Sequence, residues 1–360
     1  MSHERYMKLA LEEAMKGCGW VNPNPMVGAV IVKDGQVIGK GYHKKFGDLH
    51  AERNALASCA HSPQGSTMYV TLEPCCHYGK TPPCTKAIIE NGISEVVVGS
   101  RDPNPLVAGK GIDILRRHGI QVTTDVLQEE CYSLNEVFYH YITQKTPYVV
   151  MKYAMTLDGK TATATGKSKW ITSEAAREHV HRLRHQYSAI TVGIGTVLAD
   201  DPMLTCRLPD CKNPVRVICD THLRIPIDSQ IVKTAREVKT YIATCCPDNY
   251  KGDRLRGLGC DVISVSKSGD HINLKELMTL LGNLEIDSVM LEGGAALHAS
   301  ALQDGIVNKV YAYVAPKIFG GNASDTAVAG RGVDSPDDAY LLKDRRITLL
   351  GDDILLEYRM

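Results

Sequence analysis

The sequence has no surplus of charge: 41 lysines and arginines stand against 41 aspartates and glutamates across 360 residues. Without a basic excess it has no general means of holding a polyphosphate chain or an anionic membrane, so neither nucleic acid nor membrane is expected as a partner. Long apolar runs are missing too, since no stretch approaches the roughly 18 residues that span a bilayer. The opening, Met1 to Gly17, carries Glu4, Arg5, Lys8, Glu12 and Glu13 where a signal peptide needs an uninterrupted apolar segment, which places the protein in the cytoplasm. No period of about 20 to 50 residues repeats, which excludes a solenoid, and no low-complexity tract suggests a disordered arm. What remains is 44% hydrophobic and 23% charged residues, the make-up of an ordinary soluble globular protein. At about 100 to 200 residues per domain the length suits two domains. Twelve cysteines without a secretion signal point to reduced thiols and a metal site rather than a disulfide scaffold.

Apolar spacing over residues 3 to 16 predicts an opening amphipathic helix, stopped by Gly17. Val27 to Val32 and Val37-Ile38 flank Asp34-Gly35, a dipeptide that tolerates the positive φ angles of a tight hairpin turn. Helix and strand signals then alternate: helix 51 to 59, strand 68 to 72, helix 85 to 90, strand 94 to 98, helix 109 to 117, strand 120 to 123, and one long helix from about Leu127 to Ile142. The polar segment Thr143 to Pro147 reads as a linker, because Pro147 discourages a helix and a β-rich run starts at Tyr148. The expected domains are therefore residues 1–145 and 146–360. In the second, helix 173 to 186 is followed by apolar runs at 189 to 194, 215 to 219, 240 to 243, 262 to 265, 289 to 291 and 310 to 314, again an α/β pattern.

His50-Ala-Glu52 is followed by Pro74-Cys75-Cys76-His77-Tyr78-Gly79-Lys80-Thr81-Pro82-Pro83-Cys84. The combination resembles the zinc deaminase signature, in which one imidazole and two thiolates hold zinc and a fourth position is left for water. The resemblance implies His50, Cys75 and Cys84 as ligands of one zinc ion and Glu52 as the catalytic proton carrier. Positions i and i+2 of a regular helix point in nearly opposite directions, so His50 is expected at or just before the first helical turn if it is to share a pocket with Glu52. Cys76 is read as a non-ligand, since adjacent side chains do not normally address one metal from an extended backbone. His43, Cys18, Cys59 and Cys131 lack comparable context and are read as structural.

The usual signature ends Pro-Cys-x-x-Cys, whereas eight residues separate Cys75 from Cys84 here. That longer insert, with Asn22-Pro-Asn-Pro-Met-Val-Gly28 and Asp102-Pro-Asn-Pro-Leu-Val-Ala-Gly109, is similar to the deaminase domain of the bifunctional riboflavin biosynthesis deaminase-reductases. The segments Lys152 to Lys160, Gly166 to Ser173 and Gly193 to Pro202 resemble the reductase domain of the same family. The implied fold is α/β, a cytidine-deaminase-like three-layer domain followed by a dihydrofolate-reductase-like domain. The implied activity is deamination of 2,5-diamino-6-ribosylamino-4(3H)-pyrimidinone 5′-phosphate followed by NADPH-dependent reduction of its ribosyl chain. By the same resemblance Asn24, His77, Lys80, Asp102 and Asn104 contact the deaminase substrate. Ala154, Trp170, Thr196, Asp200, Thr221, Gly293 and Gly294 fall to the NADPH side. Ser168, Arg184, Leu204, Arg207 and Glu292 fall to the sugar phosphate of the reductase substrate. The resemblance also implies a homo-oligomer formed through the reductase domain.

Independent physical support comes from Val289 to Leu291, an apolar run leading through Glu292-Gly293-Gly294 into the helical stretch from Ala295, a junction that lets a diphosphate approach backbone N–H groups at a helix start. Two rival readings are a tRNA-type polynucleotide deaminase, disfavoured by the zero net charge, and a zinc-stabilised binding module in which Glu52 merely complements a helix start.

Overall fold

Helix α1 (His3–Met15) starts at Ser2, whose hydroxyl accepts a hydrogen bond from the Glu4 N–H. Strands β1 (Gly28–Lys33) and β2 (Gln36–Tyr42) form the expected hairpin, with Asp34 at φ 50° and Gly35 at φ 75° making the two-residue turn. The computed structural model describes residues 2–78, 82–105, 107–321 and 326–360. The chain divides into two compact units, Met1–Lys145 and Thr146–Met360.

The first unit continues through α2 (Ala51–Ala57), β3 (Thr67–Leu72), α3 (Cys84–Glu90), β4 (Glu95–Ser100), α4 (Lys110–Arg117) and β5 (Gln121–Thr123) to α5 (Gln128–Leu134) and α6 (Glu136–Gln144). Its sheet has the order β2-β1-β3-β4-β5, antiparallel at the hairpin and parallel from β3 onward. Side-chain alternation along the strands separates two apolar layers. Ile31, Met68, Val70, Val96 and Val98 pack with Ala51 and Ala55 of α2, Ile88 of α3 and Leu115 of α4. Val30, Val32, Tyr69 and Val97 pack with Met7 and Ala10 of α1 and Cys131 of α5. This is the three-layer arrangement of the cytidine-deaminase-like fold.

The single helix expected over 127–142 is two. Asn135 leaves the helix at φ −115°, ψ 23°, and is 2% exposed. Its side chain acts like a strand neighbour toward Met26, accepting from the Met26 N–H at 2.8 Å and donating to the Met26 carbonyl at 2.9 Å. Two tertiary hydrogen bonds outweigh continued helical periodicity, and they fix the segment that follows Asn24.

The second unit runs β6 (Tyr148–Thr156), α7 (Glu174–Gln186), β7 (Ala189–Gly193), α8 (Ile194–Asp200), β8 (Val215–Cys219), α9 (Gln230–Lys233), β9 (Thr240–Thr244), α10 (Tyr250–Gly257) and β10 (Asp261–Ser264). A small β11 (Lys267–Ser268) and β12 (His271–Ile272) ladder precedes α11 (Leu274–Asn283), β13 (Ser288–Leu291), α12 (Ala295–Gln303) and β14 (Lys309–Ala315). A hairpin, β15 (Lys343–Leu350) and β16 (Asp353–Arg359), ends the chain. The nine-stranded order is β10-β9-β8-β7-β13-β6-β14-β16-β15, parallel as far as β14 and antiparallel in the terminal hairpin. Val149, Ala189, Val217 and Val289 pack on one face with Leu277 and Leu281 of α11 and Ala301 of α12. Val150, Ile190, Ile218, Ile242 and Met290, on the other face, are also fully buried. Burial on both faces explains why these strands read as unbroken apolar runs. Among the described residues no helix is long and apolar enough to cross a membrane, and the twelve cysteines are free thiols.

Candidate active sites

In the first unit, His50 is the extended residue directly before α2, at φ −72°, ψ 165°. That non-helical backbone lets its imidazole and the Glu52 carboxylate line one cavity, of about 280 Å³. Cys84 opens α3, and its N–H donates to Cys75 Sγ at 3.4 Å. His50 Nδ1 lies 3.5 Å from Cys75 Sγ and 3.4 Å from Cys84 Sγ, and the three ligand atoms all fall within 4.8 Å of one another. Zinc bonds of about 2.1 Å to nitrogen and 2.3 Å to sulfur at tetrahedral angles put N and S about 3.5 Å apart, so the donor set fits a zinc ion. The cluster supplies three ligands, as a zinc site with an open position requires. Cys76 is not among them. The Cys84 thiol, hydrogen-bonded to Cys75, pulls the Cys75 thiol down to about 4, with His50 acting in the same sense against burial. Glu52 is 3% exposed, and its carboxyl titrates above the usual range chiefly because it is buried, with Cys75 adding to the effect and His50 opposing it.

The same cavity is lined by Asn24, His77, Asp102 and Asn104, while Lys80 lies outside the described residues. Sequence reasoning passed over two buried lining residues. His43 hydrogen-bonds Asn24 Nδ2 through Nε2 at 3.1 Å and the Leu49 carbonyl through Nδ1 at 3.1 Å, and its ring sits edge-on to His50 at 5.4 Å. Glu73 is the second, with a carboxylate turned to backbone N–H groups of the 102–112 segment. No local spacing marks either residue, because their partners are distant in sequence or lie in irregular chain.

Burial raises Asp102 to about 6, with Glu73 and Cys75 adding to the effect and the Asn104 N–H opposing it. A carboxyl whose folded pKa exceeds its unfolded value of 3.8 costs stability above about pH 6, and the cost fades as pH falls from there toward 4. Asp102→Asn keeps the oxygen that accepts from Asn104 N at 2.8 Å. We expect the variant to be more stable than the parent at pH 8 by roughly 1–2 kcal/mol, allowing for partial solvation, with the gap closing by pH 4. Thermal melts across that range check this, and a gap independent of pH would refute it.

In the second unit a larger cavity, about 590 Å³, opens beyond the carboxyl ends of the parallel strands β6, β7 and β13. It is lined by Ala154, Ser168, Trp170, Arg184, Thr196, Asp200, Leu204, Arg207, Glu292, Gly293 and Gly294. Thr221 is not in its wall. It lies just past β8, where its carbonyl accepts from the Cys245 N–H at 3.1 Å and the Thr244 hydroxyl at 3.2 Å. Gly293 and Gly294 hold φ +147° and +89° before α12, and a β-carbon on Gly293 would come within 3.2 Å of Thr196 Oγ1. Bare backbone beside the starts of α8 and α12 suits the diphosphate of a dinucleotide, so the residues present fit NADPH.

At the start of this junction, Glu292 accepts from Arg184 at 3.0 and 2.8 Å and pairs with Lys152 at 3.4 Å. Burial alone would raise the Glu292 carboxyl, but Arg184 and Lys152 outweigh it and hold the group below its usual range. Lys152 is pulled down by burial, against the attraction of Glu292. Burial, with Arg184 and Arg207 beside it, pulls His181 down to about 4, and its Nε2 lies 3.1 Å from Arg207 Nη2. The imidazole therefore stays neutral at pH 7 and adds no charge beside the two guanidinium groups. Lys152 and His181 were not singled out from sequence, although a lysine inside the apolar run Tyr148 to Tyr153 is a signal for the first.

Residues 1–100 match the cytidine and deoxycytidylate deaminase zinc-binding region, and residues 147–356 match the RibD C-terminal domain. The riboflavin biosynthesis protein RibD of Actinobacillus pleuropneumoniae is 53% identical over 353 residues, covering 98% of this chain and 94% of that protein. Among solved structures, a diaminohydroxyphosphoribosylaminopyrimidine deaminase/5-amino-6-(5-phosphoribosylamino)uracil reductase from Thermotoga maritima superposes with a TM-score of 0.88 at 40% identity, covering 99% of this chain and 98% of that one. RibD of Acinetobacter baumannii superposes with a TM-score of 0.89 at 37% identity, with the same coverage. With both units matched and the relatives aligned end to end, the chain belongs to the RibD family, the bifunctional deaminase-reductases of riboflavin biosynthesis.

Proposed function

We propose that residues 1–145 deaminate 2,5-diamino-6-ribosylamino-4(3H)-pyrimidinone 5′-phosphate and that residues 146–360 reduce the ribosyl chain of the product to a ribityl chain. The observation that carries the first step is the convergence of His50, Cys75 and Cys84 beside buried Glu52. A zinc ion held there supplies a Lewis acid that brings the pKa of a bound water toward neutrality. Glu52 takes the proton released and passes it to the departing amine, a task suited to a carboxylate facing the same cavity. Asn24, His77, Lys80, Asp102 and Asn104 orient the pyrimidine and its sugar phosphate.

In the second unit NADPH supplies the hydride. Gly293, Gly294 and Thr196 cradle its diphosphate, and Ala154, Trp170 and Asp200 complete the cofactor side. Arg184, Arg207, Ser168 and Leu204 take the substrate phosphate and its surroundings, guanidinium forks being suited to a phosphate monoester. Lys152 and Arg184 hold Glu292 as the carboxylate that reads the sugar hydroxyls. Two copies pair through the reductase sheet, a reading supported by the outer edge of β15, where Ile347 and Leu349 are 54% and 73% exposed. Free thiols throughout suit a reducing cytoplasm.

The test is one time course on the purified, zinc-loaded protein, whose sedimentation should be that of a dimer. Ammonia release should need no NADPH, and the ribityl product should form only with it. Oxidation of NADPH by the diamino substrate before any ammonia appears would overturn the order of steps.

A further inference from the structure

Between β4 and α4 the chain passes the deaminase cavity, where Asp102 and Asn104 line the wall. Among the described residues no strand or helix ladder secures that passage. Its bonds include short-range ones: the Asn104 N–H to Asp102 Oδ1 at 2.8 Å, the Val107 and Ala108 N–H groups to the Asn104 carbonyl at 2.8 and 2.9 Å, and Lys110 Nζ to the Pro105 carbonyl at 2.9 Å. The passage is tied to the rest of the unit at Arg101, whose carbonyl accepts from the Tyr139 hydroxyl at 2.8 Å, and, over its whole length, by Glu73, directly after β3 and 3% exposed. Its Oε2 accepts from the N–H of Asp102 at 3.4 Å and of Gly109 at 3.0 Å, the two ends of the loop. Its Oε1 accepts from the N–H of Gly111 at 3.1 Å and of Ile112 at 3.2 Å, in the first turn of α4. The approach is close enough that a β-carbon on Gly111 would lie 2.2 Å from the Pro74 carbonyl oxygen.

We infer that Glu73 is a positioning residue for deamination: its carboxylate closes the Asp102–Gly109 loop and seats α4, so that Asp102 and Asn104 meet the substrate in one fixed arrangement. A charged acceptor at a helix start and at two further amides is a strong anchor, since each bond is charge-assisted. Glutamine is nearly the same size but turns one acceptor into an amide NH₂ that confronts two N–H donors, so it releases either the loop ends or the helix start. The inference rests on the deaminase reading above. It adds that the grip on the substrate is set by a carboxylate whose oxygens are spent on backbone amides.

The experiment uses the zinc-loaded full chain. Ammonia release by the parent protein tests the deaminase reading itself, and its absence would remove that reading and this inference together. With the parent active, Glu73→Gln should raise the deaminase KM about 10- to 100-fold while kcat stays within roughly threefold. Zinc content and NADPH-dependent reduction of the deaminated substrate should be unchanged. In an Asn104→Ala background the same substitution should raise KM by clearly less, because both changes act through one loop. An unchanged KM, an effect as large in the Asn104→Ala background, or a fall in kcat accompanied by zinc loss would each overturn the inference. Should Glu73→Gln not fold, amide hydrogen exchange on the parent decides. The N–H groups of Asp102, Gly109, Gly111 and Ile112 should be protected, and unprotected exchange at Asp102 and Gly109 would overturn it.

Discussion

Replacing Glu52 by glutamine should lower ammonia release by up to about 10⁴-fold, the upper range for loss of a positioned proton carrier, while leaving the zinc content and the reductase untouched. Glutamine fills the same space in the first turn of α2, where Glu52 is 3% exposed, so neither packing nor the adjacent ligands need move. His50 precedes the helix, and Cys75 and Cys84 come from other segments, so metal retention is decided elsewhere. What is lost is a group able to take a proton at one moment and give it back at the next. The residual rate is that of a cavity that still binds and orients. Zinc analysis beside a coupled ammonia assay separates the outcomes: activity and metal lost together would make Glu52 a support of the metal site, and activity retained would make another group the proton carrier.

The largest loss of stability is expected at Arg216, on β8. Its side chain is fully buried, and none of the ion pairs among the described residues involves it. Nε donates to Thr240 Oγ1 at 2.9 Å, Nη1 to the Met203 carbonyl at 3.2 Å and Thr234 Oγ1 at 2.8 Å, and Nη2 to the Ile231 and Val238 carbonyls at 3.0 Å each. All five guanidinium N–H donors are thereby used. Burial lowers its pKa only to about 10, so the charge persists at neutral pH and is dispersed over oxygen dipoles. Arg216→Leu strands these acceptors in the interior, three of them backbone carbonyls, and should cost on the order of 4–5 kcal/mol. Arg216→Lys, with three donors instead of five, should recover part of that. Urea unfolding followed through loss of NADPH binding reports on the second unit, and a cost below about 1 kcal/mol for the leucine variant would show the network to be dispensable. Because Met203 precedes Leu204 in the reductase cavity, the lysine variant should also bind the sugar phosphate more weakly.

The parts of this molecule legible in sequence are those encoded by neighbours along the chain. Asp34-Gly35 between apolar segments is enough for a hairpin, and the two-residue step from His50 to Glu52 already requires a helix start between them. Unbroken apolar runs mark strands covered on both faces. The illegible parts depend on distant partners. Asn135 interrupts a periodic helix because Met26 offers it a backbone to pair with. Glu73 and Lys152 are single charges whose partners, the amides of Asp102, Gly109, Gly111 and Ile112 for the one and Glu292 for the other, lie far along the sequence. The terminal hairpin was missed because β15 lies on the sheet edge and begins with the charged residues Lys343 to Arg346, a pattern without strand alternation.

The place of β13 between β6 and β7 has a consequence for biosynthesis. Strands β6 and β7 leave the ribosome long before Ser288, yet each takes β13 as its neighbour. Until that strand is translated the middle of the larger sheet is a gap with two unsatisfied apolar borders, open to pairing with other nascent chains. The smaller unit, complete by Lys145, faces no such wait. Maturation is thus vectorial: the amine-releasing half can be finished while the hydride-accepting half still depends on its last third, so premature termination penalises the second activity first.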